Sequence, residues 1–109
     1  MLSKTDKIVV LVTAGSKEEA QRIAESLLNQ RKAACVNIVP AVSSLFWWQG
    51  KLDSAQECLL IIKTKASLFG EVARLVKAAH SYEVPEIIAL PIIDGGKDYL
   101  DWIEGEVRK

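Results

Sequence analysis

A chain of 109 residues, half of them hydrophobic and 26% charged, is long enough for one hydrophobic core and too short for a second domain of ordinary size. Its 14 Lys and Arg are balanced by 14 Asp and Glu, which removes the net attraction that drives binding to nucleic acid or anionic membrane. No segment approaches the roughly 20 consecutive apolar residues of a membrane-spanning helix, so residues 1–109 are expected to form a single domain with neither nucleic acid nor membrane as partner.

Ile8 to Val12 is an unbroken apolar run closed by Thr13-Ala14-Gly15, the pattern of a central strand buried on both faces. Ser16 precedes Glu19 by three residues, a capping-box spacing. Ala20, Ile23, Ala24, Leu27 and Leu28 then form the apolar stripe of a helix that ends near Gln30 or Arg31. From Ala33 to Trp48 the composition turns strand-like. Pro40 cannot donate to a sheet ladder, so this strand lies at an edge or carries a bulge there, with the edge preferred. Gln49-Gly50 makes a turn, and Leu52 to Lys65 supplies the return strand of a hairpin.

Ser67 is placed to cap a second helix, striped by Leu68, Val72, Leu75, Val76 and Ala79. The connector His80-Ser81-Tyr82-Glu83-Val84-Pro85-Glu86 leads into a strand over Ile87 to Ile93, where Pro91 marks an edge or a bulge. Asp94-Gly95-Gly96 lacks the spacing of a phosphate loop and reads as a turn. Tyr99, Leu100, Ile103 and Val107 stripe a short C-terminal helix. The order strand, helix, strand, strand, helix, strand is that of an α+β, split βαβ sandwich.

The middle hairpin is too long for its cover. A run from Ala33 to Trp48 spans roughly 53 Å at about 3.3 Å per residue, against about 23 Å for a fifteen-residue helix. Phe46, Trp47 and Trp48 sit at its far end. Two of them are therefore expected to pack on a neighbouring copy, while alternation sends the third to its own core or another face.

The segments Arg31–Ile38, Ser43–Lys51, Glu57–Thr64, His80–Ile92 and Gly95–Ile103 together resemble the CutA divalent-cation tolerance family over nearly the whole chain. The resemblance implies a ferredoxin-like subunit in a homotrimer, whose hairpins extend one another's sheets. It also implies a cytoplasmic protein associated with tolerance of copper or another divalent cation, and a cleft between subunits formed by Trp48, Lys63, Tyr82 and Glu86. Enzyme activity is not expected, since no catalytic triad, CxxC or zincin motif is present. A cytoplasmic location is also the default for a chain whose N-terminus lacks the full arrangement of a secretory signal. Two departures stand out. Ser81 occupies the position where the family segment carries proline. Val12 and Leu75 stand where some bacterial relatives carry cysteines.

Three residues bear on metal. Cys35 is either a core thiol or a soft ligand suited to copper; Cys58, within an apolar run, reads as core. His80 and Glu83 either complete a metal shell or make helix-terminal or intersubunit hydrogen bonds. Lys63 and Glu86 are expected to approach through sheet pairing as an ion pair, close to Tyr82. No catalytic residues are assigned. The alternative to cation tolerance is a trimeric scaffold or signalling protein, with an unidentified protein or small molecule bound at its subunit clefts.

Overall fold

The computed structural model describes residues 4–109. Its elements are β1 (Lys7–Ala14), α1 (Lys17–Asn29), β2 (Cys35–Trp48), β3 (Lys51–Lys65), α2 (Phe69–Ala79), β4 (Ile87–Pro91) and α3 (Lys97–Glu106). The four strands form one sheet in the order β2-β3-β1-β4, and each neighbouring pair is antiparallel. This is the ferredoxin-like βαββαβ arrangement, with α3 added.

Period-two alternation decides which face meets the helices. Ile8, Val10, Val12 and Ala14 of β1, with Cys58, Leu60 and Ile62 of β3, are buried against Ala20, Ile23, Ala24 and Leu27 of α1 and Val72, Leu75 and Val76 of α2. Cys58 is thus a core thiol, as expected. The opposite face carries Val9, Leu11, Leu59 and Ile61, which are only half-buried. Ile88 and Leu90 of β4 stand on it 50% and 49% exposed.

Both features weighed for Pro40 are present. β2 is an edge strand, and its register with β3 shifts between Val39 and Val42. Pro40 and Ala41 there stand opposite the single residue Cys58, and Ala41 adopts a left-handed φ of 61°. One extra residue reverses the parity of everything beyond it. Phe46 and Trp48 therefore share the face of Glu57 and Asp53, while Leu45, Trp47 and Leu52 point to the other side.

Two terminal expectations change. Ser67 does not cap α2: residues Ala66–Leu68 form a 3-10 turn, and the α-helix begins behind it with no side-chain cap. The last strand ends at Pro91, not Ile93.

α3 is tied to the sheet by charge. Lys7 and Lys65 are cross-strand partners, and their ammonium groups donate to Glu104 at 2.9 and 2.8 Å. Lys7 also bonds Asp6. Burial alone would lower the Lys7 pKa, but Asp6 and Glu104 more than offset it and the net shift is upward. The hydrogen bonds from Lys65 and Lys7 hold the Glu104 carboxyl at about 2, against an ordinary value of 4.5. The folded chain therefore takes up this proton less readily than the unfolded one. The contribution of Glu104 to stability is complete above about pH 4.5 and fades as pH falls toward 2. Because Glu104 is half exposed, solvent keeps that contribution small. Urea denaturation from pH 6 down to pH 2 should show the midpoint of wild type falling more steeply below about pH 4.5 than that of Glu104→Gln; parallel curves would contradict the tether.

Candidate functional site: a cleft between the hairpin and the α2–β4 loop

A cavity of about 880 Å³ opens between the projecting part of the hairpin and the loop that joins α2 to β4. The hairpin contributes Ser44, Phe46, Trp48, Asp53 and Glu57; the loop contributes Tyr82, Glu83 and Glu86. The parity reversal at Pro40 and Ala41 is what turns Phe46 and Trp48 into this space. Without it, Phe46 and Trp48 would point to the other face of the ribbon.

Behind the loop lies a connected set of polar groups. Ser16 accepts the N–H of Glu19 at 3.1 Å and so caps α1. The expected reciprocal half of the capping box is absent: the Glu19 side chain passes over Ser16 and accepts the N–H of Gly15 at 3.1 Å and of Ser81 at 2.9 Å. Burial would raise the pKa of this carboxyl, which is only 4% exposed, yet the Ser81 and Gly15 donors bring it below the ordinary range. Gly15 also allows Tyr82 to pack closely over the end of β1. A Cβ there would stand 3.2 Å from the Tyr82 hydroxyl and 3.3 Å from its ring.

His80 is fully enclosed, and both of its ring nitrogens are engaged. Nε2 lies 2.6 Å from the carbonyl oxygen of Thr13, which can only accept, so Nε2 carries the proton. Nδ1 accepts the N–H of Tyr82 at 3.0 Å. The Tyr82 hydroxyl donates to Glu57 at 2.8 Å. Burial and that carboxylate push the phenol pKa up to about 12.

The structure brings some of the sequence-selected residues together and separates others. Trp48, Tyr82, Glu83 and Glu86 all line the cleft. Lys63 does not. It pairs with Cys35 and Val9, whereas Ile87 pairs with Val12, which puts Glu86 about four residues, or roughly 13 Å, further along the strands. The expected Lys63–Glu86 ion pair is therefore corrected within one chain, and Lys63 bonds Asn37 instead. Cys35 is at the same distant level, half-buried beside Asn37 and Tyr99. Burial, with the Cys35 thiol beside it, raises the Tyr99 pKa. Cys35, His80 and Glu83 do not converge in one subunit. Among the described residues, no group of three or more His, Cys, Asp or Glu is arranged to hold a metal ion.

Sequence reasoning missed Gly15, Glu19 and Glu57 as parts of the site. Glu57 had a weak signal, a carboxylate directly before the apolar run Cys58–Ile62. Glu19 was visible only as a cap, because its partner Ser81 is 62 positions away.

Fold and cleft together define a ferredoxin-like domain with a projecting hairpin. The sequence pattern described as CutA1 divalent ion tolerance protein matches residues 8–106, and the chain belongs to that family. The divalent-cation tolerance protein CutA of Thermus thermophilus is 50% identical over 95 residues, 87% of this chain and 92% of that protein. The chloroplastic protein CutA 1 of Oryza sativa is 49% identical over 102 residues, 94% of this chain but 58% of its own length. Among solved structures, the Thermus thermophilus protein superposes with a TM-score of 0.92 at 47% identity, covering 94% of this chain and 99% of that one. The Archaeoglobus fulgidus protein, described as periplasmic, gives 0.91 at 49% identity, with the same coverage. These relatives correct the cytoplasmic expectation: they are named chloroplastic and periplasmic. A short apolar N-terminal run and two unpaired cysteines do not encode a compartment. No helix among the described residues is long and apolar enough to cross a membrane.

Glu57 is 8% exposed, so removing its phenol donor leaves a buried carboxylate short of a partner. Tyr82→Phe should lower unfolding free energy by ~1–3 kcal/mol in urea titration; a change within about 0.5 kcal/mol, typical of an inconsequential surface substitution, would show that the bond contributes nothing.

Proposed function

We propose that this chain acts as a homotrimeric divalent-cation tolerance protein, with copper as the leading ion, captured at clefts that neighbouring subunits complete. The observation that carries the assembly is the state of the hairpin tip. Leu45, Trp47 and Leu52 are 73%, 74% and 63% exposed on one side of it. Covering about 150 Å² of apolar surface on one such ring is worth roughly 3.8 kcal/mol at about 25 cal/mol per Å². Summed over the rings and leucines of the tip, this competes with the roughly 1–2 kcal/mol per residue of backbone ordering there. Support for cation tolerance comes from the relatives named for it.

On this reading Glu83 and Glu86, which line the cleft, supply carboxylate oxygens of the kind divalent ions accept, and a neighbouring copy supplies the further ligands that the described residues of one subunit do not gather. Cys35 and Lys63 enter a cleft only if a second copy presents them. His80 serves by holding the loop, since both ring nitrogens are already bonded. The size of the cleft supports a second reading, binding of a small molecule on a trimeric scaffold. About 880 Å³ bounded by Phe46, Trp48 and Tyr82 falls in the range of roughly 300–1,000 Å³ found for small-molecule sites.

Calorimetric titration of the assembled protein with Cu²⁺ separates the two readings. Saturable binding, weakened about tenfold or more in Glu83→Gln/Glu86→Gln, is expected, since even residues that only orient ligands cost this much. Absence of a Cu²⁺-dependent signal, with the trimer intact by native mass spectrometry, would favour the scaffold. Trp47→Asp should increase the monomer in the same spectra, because a carboxylate would be drawn into an apolar contact.

A further inference from the structure

The loop wall of the cleft belongs to no helix or strand from Ser81 to Glu86, and its shape depends on a few named bonds. His80 reaches Thr13, the Tyr82 N–H reaches His80, and the Tyr82 hydroxyl reaches Glu57. Each of these joins the loop to the strands or to itself. Glu19 alone among these groups comes from α1, and it is not one of the residues lining the cleft. Its two oxygens join Gly15, at the end of β1, to Ser81, where the loop begins. The carboxylate is 4% exposed, so these two N–H groups are the partners that satisfy it out of reach of bulk water.

From this geometry, and on the reading of the cleft as the binding site, we propose that Glu19 is its positioning residue: a buried carboxylate that pins the Ser81–Glu86 wall to the start of α1, so that occupancy of the cleft depends on a side chain that never enters it. The identity of residue 81 fits the same device. Proline, the residue the family resemblance leads one to expect there, has no N–H to give Glu19 and would fix the turn through its ring. His80 has φ −90° and ψ 142°, the extended backbone that precedes a proline. Ser81 with Glu19 therefore achieves by hydrogen bonding the constraint that a ring would supply covalently, and the two solutions exclude each other. Glu19 beside a proline would lose what Ser81 donates to it, and Ser81 without Glu19 would lose its acceptor.

The test is amide hydrogen exchange on the assembled full-length chain, comparing wild type, Glu19→Gln, Glu19→Ala, Ser81→Pro and Glu19→Ala/Ser81→Pro. The Tyr82 amide reports the loop, and the Val10 and Val12 amides of β1 report the whole fold. Glu19→Ala should speed exchange at Tyr82 by about tenfold, the scale of one charge-assisted bond, with Val10 and Val12 unchanged. Glu19→Gln, which keeps the shape but has a single acceptor oxygen, should fall between. Adding Ser81→Pro to Glu19→Ala should restore slow exchange at Tyr82, whereas Ser81→Pro beside an intact Glu19 should not improve on wild type. Cu²⁺ affinity by calorimetry should weaken and recover in step with the Tyr82 amide. Wild-type protection at Tyr82 in both Glu19 variants would overturn the proposal, as would acceleration at Tyr82 matched by Val10 and Val12. If wild type itself takes up no Cu²⁺, the cation reading fails while the exchange data still decide the role of Glu19.

Discussion

β3 is held on its two sides over unequal lengths. β2 accompanies it from Lys51 to Lys63, but β1 ends at Ala14, opposite Cys58. From Lys51 to Glu57, about 23 Å of chain at about 3.3 Å per residue, the hairpin has only itself. A two-stranded ribbon is marginal in water, and this one carries Leu45, Trp47, Trp48 and Leu52 into solvent. Much of what distinguishes the molecule follows from that mismatch. The ribbon forms one wall of the cleft, its bulge decides which rings face inward, and its apolar side gives the proposed trimer its reason to form.

The other wall shows how chemistry-bearing residues become structural. His80, Tyr82, Glu19 and Glu57 are the kinds of side chain from which metal and proton-transfer sites are built, yet each uses its polar atoms on a named protein partner. Buried groups of this kind are costly unless satisfied. Among the described residues, no buried side-chain nitrogen or oxygen lacks a partner. The network joins the end of β1, the start of α1, the loop and the hairpin at one point. Glu83 and Glu86, which also line the cleft, lie outside this network at the surface.

Much of the fold was legible because its signals are local. The apolar run Ile8–Val12, the helical stripes of α1 and α2 and the turn at Gln49-Gly50 each specify an element within a dozen residues. Pro40 announced the disturbance in β2, but proline alone does not reveal a parity reversal. That also required Ala41 in the left-handed region, which nothing in an alanine advertises. The site was half legible. Trp48, Tyr82, Glu83 and Glu86 line one cleft, whereas Lys63 and Glu86 do not pair within one chain, because sheet pairing was inferred without its register. Ser67 failed as a cap because the chain enters α2 through a tighter turn. The bond from Glu19 to Ser81 had no local signal at all, since it exists only after α1 and the loop have been brought together.

The dependence of the hairpin tip on association can be tested without altering the sequence. Sedimentation velocity across a dilution series, paired with amide exchange at Leu45–Leu52, would follow assembly and tip order together. The account predicts a trimer-sized species with a protected tip, and loss of that protection in step with dissociation. A folded monomer at low concentration whose Leu45–Leu52 amides stay as protected as those of β1 would contradict it.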